Sequence, residues 1–149
     1  MVKGSGTSKT LGTLVALIGV VMIAAGGITW YMVQDNLSQA RITVADDADF
    51  LAGDEVNGPF SAYAQAQIID KHALEATGGK TYAELDREDP LRDTAMNASF
   101  LRASLFTSVV AFGVAAMAIG VGLALVLVGW ALMSAAGAAN RAAEVPPRA

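Results

Sequence analysis

The fold is decided by residues 11–33, LGTLVALIGVVMIAAGGITWYMV, which contain no Asp, Glu, Lys, Arg or His. As a helix rising about 1.5 Å per residue, this stretch is long enough to cross a hydrocarbon layer of about 30 Å. It ends near Trp30 and Tyr31, whose amphipathic rings suit the boundary between lipid and water. A transmembrane helix is therefore predicted over residues 11–33.

A second stretch, residues 103–134, is equally free of charge and reads ASLFTSVVAFGVAAMAIGVGLALVLVGWALMS. Neither stretch contains proline, and each exceeds the length typical of a buried core helix. The sequence therefore predicts an all-α membrane protein, a two-helix transmembrane hairpin with a small helical segment outside the membrane.

Composition narrows the function classes. The chain has 149 residues, of which 54% are hydrophobic and 16% charged, and its mean hydropathy is +0.45. The part outside the two apolar stretches is too small to bury a large separate core. A sequence pI of about 4.8 argues against nucleic acid as a partner. The absence of cysteine excludes disulfides and thiolate chemistry.

Flanking charges predict the topology. Lys3 and Lys9 precede the first stretch, Arg141 and Arg148 follow the second, and the segment between carries 13 acidic and 6 basic residues. Because basic residues favour the cytoplasmic side, both termini are predicted to lie in the cytoplasm. The protein itself is predicted to reside in the plasma membrane. The predicted division is a cytoplasmic tail (1–10), a span (11–33), an acidic extracytoplasmic segment (34–102), a span (103–134) and a cytoplasmic tail (135–149).

A cleaved signal peptide is the alternative for the first stretch, since Ser38-Gln39-Ala40 resembles a small-residue cleavage site. The apolar run is longer than the roughly 7–15 residues usual in such peptides, which favours a retained span.

The segment between the spans has clear helix signals. Pro59 is expected to begin a helix that reaches Ala76 or Thr77 and ends at Gly78-Gly79. Thr81 and Glu84 fit a capping box that opens a single turn. Asp89 as N-cap and Pro90 as first residue then predict one long helix, continuous from about Pro90 through the second span. Ile42-Thr43-Val44 is a candidate short strand.

The helix from Pro59 is expected to use a stripe of larger side chains, either to cover the exposed turns of the following helix or to dock on another protein. The stripe comprises Phe60, Tyr63, Ile68 and Leu74, and the turns it would cover carry Leu91, Met96, Phe100 and Leu101. The candidate partner-facing residues are Phe60, Tyr63, His72 and Tyr82.

The residues offer little for catalysis. His72 is the only histidine, so one chain cannot build a site that needs two. The acidic run from Asp46 to Glu55 invites a calcium interpretation, but no glycine occupies the turn position that an EF-hand loop requires after Asp49, and a solvated loop explains the run better. No catalytic residue, metal ligand or cofactor is predicted.

Small residues in the spans predict helix packing, because they let two backbones approach closely. The predicted interface residues are Ala116, Gly120 and Ala124 in the second span and Gly12, Ala16 and Gly19 in the first. They serve either to pair the two spans or to contact another membrane subunit or a second copy of the chain.

Several blocks resemble a family of small actinobacterial two-span membrane proteins, many of which carry the label "aromatic ring-opening dioxygenase". The resemblance extends from Ile42 to Trp130 and includes the blocks FLAG at 50–53, GPFSAYA at 58–64, KHAL at 71–74, GGKTYAEL at 78–85 and MNASFLRASLFTS at 96–108. It implies the two-span architecture. The label implies ring cleavage, for which this chain has too few histidines within itself.

Three functions follow as hypotheses. The first is a structural or accessory subunit of the plasma membrane, without a catalytic site, whose partners are the lipid bilayer and other membrane subunits. The second is a noncatalytic subunit of a ring-cleaving dioxygenase. The third is a cation-responsive envelope sensor.

Overall fold

The computed structural model describes residues 4–143, with side chains over residues 7–138. This range forms three helices, α1 (Gly4–Gln39), α2 (Pro59–Ala76) and α3 (Arg92–Ala143). The predicted all-helical class is confirmed. The parts of the predicted tails at residues 1–3 and 144–149 lie outside the described residues.

Helices α1 and α3 are both long and apolar enough to cross a membrane. Their apolar parts extend over Thr7–Gln39 and Arg92–Ala138, and only 17% of the most apolar window in each helix is buried. A core helix of a water-soluble domain would instead be mostly buried.

The chain divides into two compact units, one formed by residues 1–28 and 115–149 and the other by residues 29–114. In the first unit the two helices pack directly on each other. Gly12 lies against Gly129, and Gly19 lies against Gly122. Because the partner number falls as the first number rises, this pair is antiparallel.

The second unit has a small hydrophobic core. Trp30 of α1 packs edge-on against Phe112 of α3, with ring centroids 4.8 Å apart, and Phe112 is 1% exposed. The other buried core members are Leu37, Val44, Val56, Ala62, Ala64, Ala66 and Leu105.

The loop between α1 and α2 contributes Val44 and Val56 to this core. Its backbone pairs around one isolated antiparallel bridge, Thr43 to Glu55, and the described residues contain no longer strand. The candidate strand at residues 42–44 is therefore wrong beyond this bridge, since too few residues pair to extend it.

Helix α2 has the predicted bounds. Pro59 is its first residue, where a missing N–H costs nothing. The Ser61 hydroxyl accepts hydrogen bonds from the Asn57 and Gly58 amides at 3.2 Å each. At the other end Gly78 and Gly79 adopt φ values of 67° and 85°, which glycine tolerates best.

The start of α3 differs from the prediction. The helix begins at Arg92 instead of Pro90, because residues 89–92 form a turn in which the Arg92 amide donates to the Asp89 carbonyl at 3.0 Å. The Asp89 carboxylate accepts from the Leu91 amide at 2.9 Å. Asp89 therefore caps the turn that precedes α3, and its predicted role as N-cap of the helix is wrong.

The expectation that the stripe of α2 covers the start of α3 is also wrong, whereas its docking on another protein stays a prediction. The buried residues of α2 are Ser61, Ala62, Ala64, Ala66 and Ile68, so only Ile68 of the stripe is buried. Phe60 is 75% exposed, and Phe100 and Leu101, which it was expected to help cover, are exposed as well. Small side chains take the inner face because they allow α2 to approach its neighbours closely.

Candidate functional site

The closest approach of α1 and α3 depends on glycine. A Cβ added to Gly19 would lie 2.5 Å from the Gly122 carbonyl oxygen, and one added to Gly129 would lie 2.5 Å from the Gly12 carbonyl oxygen. A Cβ on Gly26 would lie 2.7 Å from the Ala115 carbonyl oxygen. No side chain fits at these distances, so the contact requires bare backbone.

The predicted packing residues separate into two groups. Gly12, Ala16 and Gly19 of α1 lie in the contact with α3. Ala116, Gly120 and Ala124 lie on an exposed side of α3, and a Cβ on Gly120 would meet nothing within 4 Å. The structure therefore does not bring this stripe to α1, and its contact with another subunit stays a prediction.

Sequence reasoning missed the α3 residues that do pack. The sequence does contain a pattern that indicates these contacts, because small residues recur every seven positions in both helices. The contact residues are Gly12, Gly19 and Gly26 in α1 and Ala115, Gly122 and Gly129 in α3. The prediction instead followed a spacing of four in α3, which is also a valid small-residue pattern.

His72 joins α2 to the acidic loop. Its Nε2 lies 2.7 Å from the Asp47 carboxylate, and both side chains are about half exposed. The hydrogen bond from His72 lowers the pKa of Asp47 below its ordinary value, with smaller contributions from the charges of His72 and Lys71. His72 is thus a partner of the chain's own loop.

Tyr63 is held by neighbouring side chains. Its hydroxyl accepts a hydrogen bond from the Gln67 amide at 2.9 Å. Its ring lies edge-on to Phe106, with centroids 5.8 Å apart, and 6.3 Å from the ring of Phe50. Of the aromatic candidates on α2, Phe60 is therefore the more exposed, at 75% against 38% for Tyr63.

The ring of Tyr82 makes a cation–π contact with the side chain of Arg92. The Arg92 guanidinium is 4.1 Å from the ring centroid and also donates to the Leu85 carbonyl. Nearby, the Glu84 carboxylate accepts from the backbone amide and the hydroxyl of Thr81, and these bonds lower the pKa of Glu84. Only half of the predicted capping box forms, around a single turn: the Glu84 carboxylate accepts from the Thr81 amide, but the Glu84 amide donates to the Thr81 carbonyl and not to its hydroxyl.

The second unit contains an open cleft of about 580 Å³ between α1, α2, α3 and the start of the loop. Its apolar wall includes Val33, Leu37, Ile69 and Leu105. Uncharged polar side chains complete the lining, and none of the described lining residues is ionisable. No sequence pattern indicated this cleft, because its residues come from four separate segments.

Metal binding finds no support in the described part of the chain, which contains no group of three or more His, Asp or Glu side chains placed to hold an ion. No protein-family model, curated protein or solved structure matches the chain.

Proposed function

We propose that this chain is an integral protein of the plasma membrane, with two spans, both termini in the cytoplasm and an extracytoplasmic segment over residues 34–102. In this proposal it serves as a structural or accessory subunit without a catalytic site of its own. We also propose that the chain belongs to the family of small actinobacterial membrane proteins that its sequence resembles.

The observation that carries the proposal is the exposure of apolar side chains along α1 and α3. Val21, at 65%, and Leu127, at 63%, are among the most exposed of them. Water-soluble proteins rarely expose contiguous apolar patches larger than a few hundred Å². Lipid tails would solvate these side chains without that cost, and the helical backbone satisfies its own hydrogen bonds there.

The accessory role is supported by the absence of ionisable side chains from the sequences of the two predicted spans. Residues 11–33 and 103–134 contain no ionisable side chain, whereas ion pathways and proton relays use such residues within the membrane. The bilayer is the first partner in this proposal, and another membrane subunit or a second copy of the chain is the next.

The topology is tested with single cysteines, which the cysteine-free chain accepts without background labelling. Asp86→Cys lies in the outer segment and Asn140→Cys lies in the C-terminal tail. A membrane-impermeant maleimide should label Asp86→Cys in intact cells and Asn140→Cys only after permeabilisation. The reverse pattern contradicts the orientation, and labelling of both in intact cells contradicts the two-span arrangement.

The accessory role is tested by native purification in a mild detergent. We expect the chain to co-migrate with a second membrane protein in a fixed ratio, above the size set by its own 15.3 kDa and its micelle. A chain that runs alone, with the same elution as a denatured and reconstituted control, contradicts the accessory role.

A further inference from the structure

We propose that the cleft of the second unit binds a neutral amphiphile, an alkyl chain that carries an uncharged hydroxyl or ester group, as in a monoacylglycerol. The proposal rests on the proposed membrane location for the source of this ligand. It goes beyond an accessory role because it assigns the chain a binding site of its own.

The first argument is the size and chemistry of the apolar wall. A volume of about 580 Å³ falls within the usual range of ligand pockets, roughly 300–1,000 Å³. Val33, Leu37, Ile69 and Leu105 come from three different helices and face one space. The cleft is open and lies beside the buried core, with which it shares Leu37 and Leu105, so a ligand can reach this apolar wall.

The second argument is a pair of amides with unused capacity. The Asn36 amide nitrogen donates to the Met32 carbonyl at 2.8 Å, which leaves its side-chain oxygen as an acceptor. The Gln65 side-chain oxygen accepts from the Ala45 amide at 3.0 Å, which leaves its nitrogen as a donor. Within the described residues, neither remaining atom has a hydrogen-bond partner, so the exposed Asn36 side chain is free to accept a hydrogen bond from a ligand and the Gln65 side chain is free to donate one.

The third argument concerns charge. The cleft lining is uncharged, and Arg102, which follows the lining residue Leu101, is paired with Asp70 at 3.0 Å. A carboxylate or phosphate placed here would give up water without gaining a counter-ion, which is costly. A hydroxyl or ester loses far less, and the two amides compensate it.

The hydroxyls on α3 complete the polar side of the cleft. Thr107 donates to the Ala103 carbonyl at 2.8 Å and Ser108 donates to the Ser104 carbonyl at 3.3 Å. Because their protons are bonded within the helix, these residues present only oxygen lone pairs to a ligand. They favour a donor group such as a glycerol hydroxyl over a bare alkane.

The test uses the full chain, purified in detergent, and a monoacylglycerol probe with a diazirine in its acyl chain. Mass spectrometry should map the photoadduct to the cleft, and unlabelled monoacylglycerol should compete for it. Ala111→Trp places a large ring in the cleft, and its matched control Val110→Trp alters the exposed neighbour outside the lining. Ala111→Trp should weaken labelling about tenfold or more, the loss expected from excluding a few buried methylene groups, while Val110→Trp should label like the parent chain.

Two further arms test the chemical class. Asn36→Leu should weaken binding of the monoacylglycerol probe while leaving a diazirine alkane of the same length unaffected. A fatty-acid probe should label the cleft more weakly than the monoacylglycerol. The proposal is overturned if both tryptophan variants label alike, if labelling spreads evenly along α1 and α3, or if the fatty acid is preferred.

A carbonate wash of the source membranes tests the proposed membrane location separately from the proposed ligand site. A chain that leaves the membrane in the wash contradicts the proposed function. Labelling of the purified chain reports on the cleft whatever the outcome of that wash.

Discussion

At the scale of single residues, glycine determines how closely α1 and α3 approach. The carbonyl of each partner occupies the space that a Cβ would need at Gly12, Gly19, Gly122 and Gly129. In the membrane location that we propose, lipid would provide no hydrophobic gain for joining two apolar helices, so van der Waals contact at short range would have to supply the attraction. Loss of a single glycine therefore acts on the main source of pairing energy.

Gly122→Ala should destabilise the helix pair by about 1–3 kcal/mol, the usual cost of an extra methyl group in a tightly packed site. The added Cβ would lie 2.6 Å from the Gly19 carbonyl oxygen and 2.8 Å from a side-chain carbon of Ile23. Thermal unfolding in detergent, followed by circular dichroism, measures the change. Gly120→Ala is the matched control, since its Cβ meets nothing within 4 Å. Equal effects of the two substitutions would contradict the packing.

The pair of Asp47 and His72 makes a second prediction at this scale. Because the folded pKa of Asp47 is lowered, the pair contributes stability above the unfolded pKa of about 3.9. That contribution is lost as the pH falls through the lower, folded value. His72→Ala should raise the pKa of Asp47 towards its ordinary value, as measured by an NMR titration of the carboxyl carbon.

Glu84 provides the internal control for this titration. Its pKa is lowered by hydrogen bonds from Thr81, so it should not respond to His72→Ala. Thr81→Val, which removes only the hydroxyl donor, should raise the pKa of Glu84 and leave that of Asp47 unchanged. A shift of both carboxyls in the same variant would indicate a general loss of structure and contradict the separate causes.

At the scale of elements, sequence reasoning succeeded where backbone chemistry marks an end. Pro59 and Gly78 define α2 because one residue lacks an N–H and the other accepts a positive φ. It failed for the buried face of α2, since large apolar residues were expected inside and alanines are found there. Hydropathy reports transfer from water, whereas the close approach of α2 selects for small volume.

The candidate sites also divide into those that a local sequence pattern indicates and those that only the tertiary structure reveals. The glycines of α1 were predictable because small residues in an apolar helix indicate contact. The cleft was not, since Asn36, Gln65 and Ser108 are distant in sequence and no local pattern relates them. Only the tertiary arrangement of the second unit brings them together.

Ala66→Leu tests the alanine face of α2. Ala66 is fully buried, so a larger side chain must displace its neighbours at a cost of about 1–3 kcal/mol. Ala76→Leu on the same helix is exposed and should change stability by no more than about 0.5 kcal/mol. Thermal unfolding of the full chain in detergent measures both. A tolerated Ala66→Leu would show that α2 is not packed through this face.

At the scale of the whole molecule, two apolar helices leave most of their own surface uncovered. Only 17% of the most apolar window of each is buried. The composition already favoured a membrane environment, and the structure adds that the chain does not fold these side chains against itself. The surrounding medium must then satisfy them.

Val21→Arg should reduce membrane insertion of α1. Val21 is 65% exposed near the middle of the first apolar stretch, where an arginine costs roughly 2.5–3.5 kcal/mol on translocon-based scales. Because α3 would keep the chain in the membrane in either case, maleimide labelling of Asp86→Cys in intact cells measures the effect. Phe60→Arg is the control, because Phe60 is 75% exposed outside the predicted spans and should leave insertion unchanged. Equal labelling with both substitutions would contradict the lipid-facing role of α1.

The seven-residue repeat of small side chains has a consequence for how the pair chooses its alignment. Sliding α1 past α3 by one whole repeat would again set glycine against glycine, so these residues alone do not distinguish one alignment from the next. The larger side chains beside the glycines select one alignment. Ile23 packs beside Gly122, and Val126 packs beside Gly19. Exchanging those bulkier positions should allow the helices to slip, whereas exchanging the glycines should only push them apart.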